Sequence, residues 1–381
     1  MSQKVFFSIL IPSKGGENYI ENVLKSVLDQ EFSDYEIIIG DNNNNDKFKI
    51  AIDKFLPNPK IKIVKQTKTI DVTSSWNACL NNASGRYIIM LGDDDCILKN
   101  SLKKIYEILS SNNFPEVLTT NAIGFYEGGS VPEFDYYAYK PIFWNFKKYK
   151  LDNRLLNEKE KKNILNEIFS LKNYLPLNMQ PHIFSKSLSD TVEEGVFKPP
   201  CPDSYAVYSM ILRAKTWFIN DEPMLSIGMS KKSFGHYVNT NKLDQGKNYL
   251  GSFVYGNYHF VPGSLLNDYL IMILIQLRQN NKILQNKKIN RPAYLARQLF
   301  CHFENFAKGN INFKTFIGFF LKIKIIDFAY LLWGIFDFSL YMQAFERLKQ
   351  LFISKRKINQ DFVKIEDENT NIYDFTRRLK L

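Results

Sequence analysis

Short apolar runs alternate with helical patterns in the first third of the chain, and this alternation restricts the fold most. The runs extend over Val5 to Ile11, Glu36 to Gly40, Ile61 to Lys65 and Tyr87 to Leu91, each with the content of a buried strand. Between them apolar residues recur at helical spacing, as from Ile20 to Leu28. Strands that alternate with helices form βαβ units with right-handed crossovers. The sequence therefore predicts an α/β fold with a largely parallel sheet.

Polar sets follow three of these predicted strands. They are Pro12-Ser13-Lys14, Asp41-Asn42-Asn43 and Asp93-Asp94-Asp95. Ligands of such sheets bind beyond the carboxyl ends of the strands. We therefore expect the three sets to lie along one edge and to surround one ligand, which unrelated turns would not do.

The triplet Asp93-Asp94-Asp95 ends the apolar run YIIML without a transition. Adjacent buried carboxylates repel one another and need a counter-charge. A divalent cation that prefers oxygen ligands is the simplest partner, and such ions bridge to substrate phosphates. A solvated turn is the alternative, because Gly and Asp are common turn residues.

Composition favours a packed globular protein. The chain has 381 residues, of which 45% are hydrophobic and 15% aromatic, which excludes a mostly disordered protein. Its four cysteines are scattered without zinc spacing, so a reducing compartment fits. The N-terminal apolar run leads into Pro-Ser-Lys and a helical pattern, with no small-residue cleavage site. We interpret that run as the first strand and the protein as cytoplasmic.

Positive charge is concentrated near the C-terminus. The formal net charge is +11. From Arg278 to Lys324 the sequence has ten basic residues and one acid, Glu304. Such a stretch favours a membrane surface, a lipid phosphate or a nucleic acid, unless it is only a solvated helix face. From Thr315 to Met342 charges interrupt an apolar segment, so that no uncharged run reaches the ~20 residues that span a bilayer. This segment is either a buried helix or an interfacial one.

These patterns divide the chain into two predicted domains. Residues 1–261 form the α/β domain, with an insertion at 126–200 where periodicity weakens and aromatic residues cluster. A helix is expected near Glu158 to Leu171, and two short strands at Trp217 to Ile219 and Met224 to Ile227. Residues 262–381 form a basic helical C-terminal region.

Three segments resemble glycosyltransferase family 2, whose members are inverting nucleotide-sugar enzymes of the GT-A fold. They are SILIPSKGGENYIENVLKSVLDQEFSDYEIIIGDNNNND, SSWNACLNNASGRYIIMLGDDDCILKNSL and PDSYAVYSMILRAKTWFINDEPMLSIGMSKKSFGH. The resemblance covers about residues 5 to 236, without 126 to 180. It implies a GT-A type, Rossmann-like mixed and mainly parallel sheet flanked by helices, followed here by the C-terminal helical region.

The resemblance also implies donor-binding residues. Asp41 would hold the base or ribose, for which carboxylate acceptors are suited, and Asp93 would contact the ribose or support the metal. Where the family often has Asp-Gly-Ser-Thr-Asp, this chain continues with Asn, so the nucleotide stays open. The full predicted donor-binding set is Pro12, Ser13, Lys14, Asp41, Trp76, Asn77 and Asp93. A packing role on the sheet is the alternative for Trp76.

The metal and catalytic roles follow from the same resemblance. Asp94 would be the primary ligand of Mn²⁺ or Mg²⁺, Asp95 would assist or orient the loop, and His236 would approach the metal or diphosphate. The metal would neutralise the diphosphate leaving group. Asp203 would be the base that takes the acceptor proton. A helix N-cap is the alternative for Asp203, and Glu193 and Glu194 are alternative acids.

The expected function is metal-dependent, inverting transfer of a sugar from a nucleotide-diphosphate sugar to a glycan or lipid-linked acceptor hydroxyl. The process would be surface polysaccharide biosynthesis, such as that of lipopolysaccharide. Peripheral contact with an anionic membrane on its inner face is expected, and no nucleic-acid partner. Two alternatives remain, a sugar nucleotidyltransferase and a non-catalytic anionic-surface binder on a GT-A scaffold.

Overall fold

The computed structural model describes residues 5–43, 45–131, 134–193, 195–239, 258–335, 362–367 and 370–379. The chain forms two compact units. The first unit comprises Met1–Lys162, Tyr174–Ser252 and Gln360–Leu381, and the second comprises Asn163–Asn173 and Phe253–Asn359. All the residues with predicted donor, metal or catalytic roles lie in the first unit. The last residues of the chain, from Gln360 onward, also belong to the first unit. The predicted division between residues 261 and 262 places them in the C-terminal region instead.

The elements of the first unit, in chain order, are β1 Phe7–Ser13, α1 Ile20–Leu28, β2 Tyr35–Asp41, α2 Asp46–Asp53, β3 Ile61–Lys65, α3 Val72–Asn81, β4 Tyr87–Met90, β5 Cys96–Ile97, α4 Ser101–Ser111, β6 Val117–Tyr126, β7 Ala138–Lys140 and β8 Arg154–Leu155. Helix α5, Glu158–Phe169, is divided between the units. Then follow β9 His182–Ser185, α6 Lys186–Asp190, α7 Pro202–Arg213, β10 Trp217–Met229, α8 Phe234–Asn239 and, from the C-terminus, β11 Val363–Lys364 and α13 Ile372–Arg378.

One mixed sheet organises this unit. Its order is β11-β7-β6-β9-β4-β1-β2-β3, and β10 lies beside β6. Strands β3, β2, β1 and β4 pair in parallel, as do β6 and β10 along the whole of β6. The mainly parallel α/β fold predicted from the sequence is thereby confirmed. Because β1, β2 and β4 point the same way, their carboxyl ends meet at one edge.

Apolar strands and amphipathic helices build the core. Strand β2 is buried along its whole length, as expected of a strand covered on both faces. Helix α1 buries Ile20, Val23, Leu24 and Val27, the stripe that the periodicity indicates. These side chains pack with residues of β1, β4 and α4 in one cluster. The core thus fixes the strands whose ends carry the polar sets.

Several strand assignments differ from the sequence prediction, of which β10 and β9 are the most informative. Residues 217–229 form one strand with register shifts between Ile219 and Leu225, where two short strands were expected. Strand β9 lies between β4 and β6 and is antiparallel to both, in the insertion 126–200 for which only a helix was predicted. Its sequence, HIFS, is too short and too polar to stand out by pattern. The helix expected near Glu158 to Leu171 is confirmed.

The second unit is helical. It contains α9 Leu265–Asn280, α10 Arg291–Ala307, α11 Phe313–Lys322 and α12 Ile325–Ile335. Within it, Arg291 donates to both carboxylate oxygens of Asp327, at 3.0 and 2.7 Å. In the segment from Thr315, the buried-helix interpretation is wrong for the described part, because Leu321 and Ile325 are among the most exposed side chains. Residues 336–342 of that segment lie outside the described residues.

Candidate active site

The polar ends of β1 and β4 are in direct contact. Ser13 Oγ donates to Asp93 Oδ2 at 2.5 Å. A Cβ on Gly16 would lie 2.0 Å from the same carboxylate oxygen, so only glycine permits this approach. The loop after β1 therefore lies against the first acid of the triplet, as the strand-end argument predicts.

The end of β2 is joined to the same loop. The N–H of Asn42 donates to the Ser13 carbonyl at 3.1 Å, and Asn43 Nδ2 donates to that carbonyl at 3.2 Å. Asn43 also donates from its N–H and Nδ2 to Asp41 Oδ1, at 3.1 and 3.2 Å. The asparagines that depart from the usual family sequence thus hold Asp41, which is largely buried, and connect two loops.

The other predicted members of the donor loop differ in exposure. Pro12 is the β1 residue that pairs with Gly40 of β2 and is half-buried. Lys14 is exposed beside the loop. A lysine at that place is available to an anionic ligand, whereas Pro12 supplies shape rather than charge.

Asp95 is held entirely by the protein. Its Oδ2 accepts from the N–H of Gly92 at 2.6 Å and from Gln180 Nε2 at 3.0 Å, and its Oδ1 accepts from the N–H of Gly228 at 2.9 Å. It is 1% exposed. Of the two roles that the sequence left open for Asp95, these bonds favour orienting the loop, because both oxygens already have donors.

Asp94 faces a different set of neighbours. Its Oδ2 accepts from Ser230 Oγ at 2.8 Å, and a Cβ on Gly228 would lie 1.9 Å from the Asp94 carbonyl oxygen. Ser230, directly after β10, and Gly228, within β10, therefore fix the position of Asp94. Sequence reasoning missed Gly228 and Ser230 in this role.

Burial and mutual repulsion disfavour the ionised forms of the three acids. Burial, and then the charge of Asp94, raise the pKa of Asp93 and of Asp95 to about 7. Burial also raises the pKa of Asp94. All three shifts oppose ionisation, so a bound cation would stabilise the ionised forms.

The donor set fits a hard divalent cation that shares its ligands with a substrate. Among the described residues no group of three His, Cys, Asp or Glu side chains could hold a metal ion. Asp94, Asp95 and His236 thus do not form a prebuilt set. His236 Nδ1 lies 2.8 Å from the Ser130 carbonyl oxygen. Mg²⁺ in particular is usually held by one or two carboxylates together with phosphate oxygens and water, so Asp94 beside Asp93 remains compatible.

A lysine after β10 reaches the loop after β1. Lys232 Nζ donates to the Gly15 carbonyl at 2.8 Å and pairs with Glu17 Oε1 at 3.5 Å. The positive charge of Lys232 also lowers the pKa of Asp93, against the larger effect of burial.

A cavity of about 300 Å³ adjoins Asp94. Tyr19 and Glu127 line it, and the Tyr19 hydroxyl donates to Glu127 Oε2 at 3.2 Å. Burial raises the pKa of Glu127. Asn371 and Ile372, from the C-terminal end of the chain, complete its wall. No sequence pattern indicates that these residues meet.

Asp203 lies in the first turn of α7. The N-cap of this helix is Cys201, so the N-cap interpretation of Asp203 is wrong. Its Oδ1 accepts from the N–H of Ser204 at 2.7 Å. Burial raises its pKa to about 6, against the lowering effect of the Ser204 hydrogen bonds. Of the alternative acids, Glu193 is exposed and Glu194 lies outside the described residues.

Trp76 and Asn77 contact the segment that leads to Asp203. The Trp76 ring meets the Phe197 ring edge-to-face at 5.2 Å, and Asn77 Nδ2 donates to the Phe197 carbonyl at 3.0 Å. Phe197 is buried. Helix α3 therefore positions residues before α7, while a direct contact of Trp76 or Asn77 with donor stays a prediction.

His182, in β9, is a structural residue. Its Nδ1 lies 2.8 Å from Thr119 Oγ1 and its Nε2 lies 2.9 Å from the Pro176 carbonyl oxygen. Burial lowers its pKa to about 4. The ring is therefore neutral at physiological pH and connects β6 with the segment before β9.

The fold and the acidic strand end define a GT-A type α/β domain. The crystal structure of Staphylococcus aureus TarS 1-349 in complex with UDP-GlcNAc aligns with a TM-score of 0.50 over 86% of this chain and 79% of that chain, at 16% identity. This likeness concerns the fold. Residues 8–171 match the family model for glycosyl transferase family 2. We therefore assign this part of the chain to glycosyltransferase family 2.

Relatives of known name also match part of the chain. An Escherichia coli protein named UDP-Glc:alpha-D-GlcNAc-diphosphoundecaprenol beta-1,3-glucosyltransferase WfgD is 27% identical over 30% of this chain and 48% of its own length. The Staphylococcus aureus poly(ribitol-phosphate) beta-N-acetylglucosaminyltransferase TarS is 23% identical over 45% of this chain and 33% of its own length. The chain thus spans about half the length, or less, of these relatives.

Proposed function

We propose that this protein is a metal-dependent, inverting glycosyltransferase. It moves a sugar from a nucleotide-diphosphate sugar to a hydroxyl of a glycan or lipid-linked acceptor in surface polysaccharide assembly. The observation that carries the proposal is the contact of Ser13 with Asp93 beside Asp94, which unites the ends of β1 and β4 at an acidic edge. The names of the relatives support the class of reaction, since both are sugar transferases.

The donor nucleotide would lie over the loops after β1 and β2. Asp41 would accept hydrogen bonds from the base or ribose, and its position is already fixed by Asn43. Asp93 would act from the other side of Ser13, toward the ribose or the metal. Lys14, exposed on the same loop, would contact an anionic part of the donor.

The cation, Mn²⁺ or Mg²⁺, would be held chiefly by Asp94. Bound there, it would neutralise the charge that develops on the diphosphate leaving group. Asp95 would keep the loop in place through Gly92, Gly228 and Gln180. His236 and Lys232 follow β10, and both are proposed to contact the diphosphate side of the donor.

Asp203 would take the proton from the acceptor hydroxyl during in-line attack at the anomeric carbon. Burial raises its pKa to about 6, which leaves it mostly ionised at neutral pH and still basic enough for proton transfer. The contacts of Asn77 and Trp76 with Phe197 would hold the approach to this residue. Residues 126–200 are proposed to contribute to the acceptor side.

The acceptor class rests on the relatives. WfgD is named for a diphosphoundecaprenol-linked acceptor and TarS for poly(ribitol-phosphate). We propose a lipid-linked saccharide or a surface glycan for this chain, at the inner face of the membrane with peripheral contact. In the described part of the chain, no helix is long and apolar enough to cross a bilayer.

The test is single-site substitution with product analysis. Purified protein is incubated with nucleotide-diphosphate sugars, with Mn²⁺, Mg²⁺ or a chelator, and released nucleoside diphosphate is measured. Asp94→Ala should abolish metal-dependent release, whereas Asp203→Asn should keep donor binding, seen as a thermal shift, and lose turnover. Normal turnover by Asp203→Asn would refute the assigned base. Release of pyrophosphate in place of nucleoside diphosphate would identify a nucleotidyltransferase.

A further inference from the structure

The second unit exposes an apolar face on two successive helices. In α11, Phe313, Ile317 and Leu321 recur every fourth residue and are all exposed. Positions four apart lie on one side of a helix, so these three form a stripe. On the other side of the helix Phe319 is buried and packs against His302. Helix α11 is therefore packed on one side and exposes apolar side chains on the other.

Helix α12 also exposes apolar side chains. Ile325, Phe328 and Leu332 are exposed, whereas Asp327 and Leu331 are buried. Leu321 is 84% exposed and Ile325 is 92% exposed, although both are aliphatic. The rings of Phe320 and Phe328 stack at 6.4 Å and connect the two helices. We call Phe313, Ile317, Leu321, Ile325, Phe328 and Leu332 the apolar face.

The charged residues in the sequence around α11 are mainly lysines. From residue 305 to 326 the chain carries Lys308, Lys314, Lys322 and Lys324 and no acid. Lys308 pairs with Glu304 at 2.7 Å. Lys314, Lys322 and Lys324 are exposed, and none of them pairs with a carboxylate of the described residues. Asp327, which follows, is buried and neutralised by Arg291.

We infer that the apolar face and its lysines form the surface by which this protein lies on an anionic membrane. A helix pair with exposed aliphatic residues and flanking lysines inserts its apolar side at the headgroup level, while each lysine stem lets the ammonium reach the phosphates. This inference deepens the peripheral membrane contact in the proposed function and rests on it for the choice of partner.

The choice of lysine favours a lipid surface over a protein partner. The centres of protein interfaces are enriched in arginine and depleted in lysine, whereas near anionic lipid lysine and arginine contribute alike. Exposed aliphatic residues also argue against a nucleic-acid partner, because single strands are bound on aromatic side chains within a basic groove. A second copy of this chain would have to place like charges against each other.

The test measures binding of the full-length protein to vesicles by sedimentation. One set of vesicles is phosphatidylcholine alone, and the other contains equal parts of phosphatidylcholine and phosphatidylglycerol. The wild type should bind only the anionic set and should be released by salt. The double variant Leu321→Glu/Ile325→Glu should lose binding. The triple variant Lys314→Gln/Lys322→Gln/Lys324→Gln should bind on the order of 100-fold more weakly, from roughly fivefold per lysine.

Ile283→Glu is the matched control. Ile283 is 87% exposed in the same unit but does not belong to the apolar face, so its variant should bind vesicles like the wild type. Equal binding by the double variant and the wild type would overturn the inference, as would equal loss in the control. If the wild type ignores vesicles but forms a dimer that the double variant dissociates, the face joins two copies and the inference is wrong.

Nucleoside diphosphate release from a soluble donor is measured on the same samples. This measurement separates the proposed membrane surface from the proposed transferase function. Release that continues in the double variant, together with lost vesicle binding, supports both. Release by a wild type that ignores anionic vesicles would overturn the membrane surface and leave the transferase proposal standing. Vesicle binding in the expected pattern without any release would instead refute the transferase proposal.

Discussion

At the scale of single residues, three adjacent acids have three different surroundings. Asp93 takes a hydrogen bond from Ser13, Asp94 takes one from Ser230, and Asp95 takes three from donors on separate segments. The sequence indicated an acidic strand end with a metal role. The resemblance implied that Asp94 is the primary metal ligand and left two roles open for Asp95. It did not indicate which residues hold each acid, because most of their donors are far away in the chain.

The pH dependence of transfer is the first prediction at this scale. Burial raises the pKa of Asp203 to about 6. Below that pH the base is protonated and cannot accept the acceptor proton, so kcat/KM should fall about tenfold per pH unit. Steady-state rates between pH 5 and 8 test this. A profile that stays flat down to pH 5, or an unchanged acid limb in Asp203→Asn, would contradict it.

Gly228→Ala is the second prediction. The new Cβ would lie 1.9 Å from the Asp94 carbonyl oxygen. The backbone fixes the position of both atoms, so that neither can rotate away. Asp94 must therefore shift, and displacement of a site by about 1 Å costs on the order of 100-fold in rate. Donor turnover and thermal unfolding measure the effect.

Gly318→Ala is its control. Gly318 lies within α11, and a Cβ added there would meet no atom within 4 Å beyond the backbone of its own helix. Alanine is therefore accommodated and stabilises the helix by up to about 1 kcal/mol. If Gly228→Ala retains wild-type turnover, the close approach of β10 to Asp94 does not matter for activity.

At the scale of elements, β10 and α3 contact different parts of the candidate site. Strand β10 supplies the Gly228 N–H to Asp95 and leads to Ser230 beside Asp94. Helix α3 holds Phe197, ahead of α7. The sequence predicted two short strands within what is β10, but it did not indicate that β10 or α3 positions residues on other segments.

Asn77→Ala separates positioning from donor binding. Loss of the 3.0 Å hydrogen bond to the Phe197 carbonyl should loosen the segment before Asp203. A hydrogen bond of this kind contributes about 1 kcal/mol to stability. We expect kcat to fall about fivefold, since a tenfold change would require about 1.4 kcal/mol, with little change in KM for the donor. Asn82→Ala, at the end of α3, removes only a bond to the Ala78 carbonyl and is the control. A raised donor KM with unchanged kcat would instead support direct donor contact.

At the scale of the whole molecule, the C-terminal residues return to the first unit. Phe375 of α13 packs against Phe125 at 5.3 Å and against Tyr139 at 5.0 Å. Ile372 and Phe375 share a buried cluster with Cys96, directly after the triplet. The Tyr373 hydroxyl also donates to Asp29, beside α1. The last helix is therefore part of the wall behind the acids.

Phe375→Ala tests whether α13 stabilises the first unit. Truncation of a buried phenylalanine costs about 3 to 5 kcal/mol, so the free energy of unfolding of the first unit should fall by that amount in urea denaturation. Phe313→Ala, at an exposed position, should change it by less than about 0.5 kcal/mol. An unfolding curve of Phe375→Ala that coincides with the wild type would show that α13 is not needed for this unit.

Local sequence pattern was enough to predict the alternation of strands and helices and the polar ends of β1, β2 and β4. These follow from short-range periodicity and from the parallel direction that crossovers impose, and the structure brings Ser13, Asn42 and Asp93 together as expected. The same pattern could not identify β9, which is four residues long and pairs with strands distant in sequence.

The partners that complete the site became visible only in the folded chain. Gly228, Ser230 and Gln180 reach the triplet from 85 or more positions away, and Ile372 reaches the adjoining cavity from the end of the chain. Such contacts arise from the packing of whole elements around a common core. No short-range spacing encodes them, because each partner is an ordinary residue within its own segment.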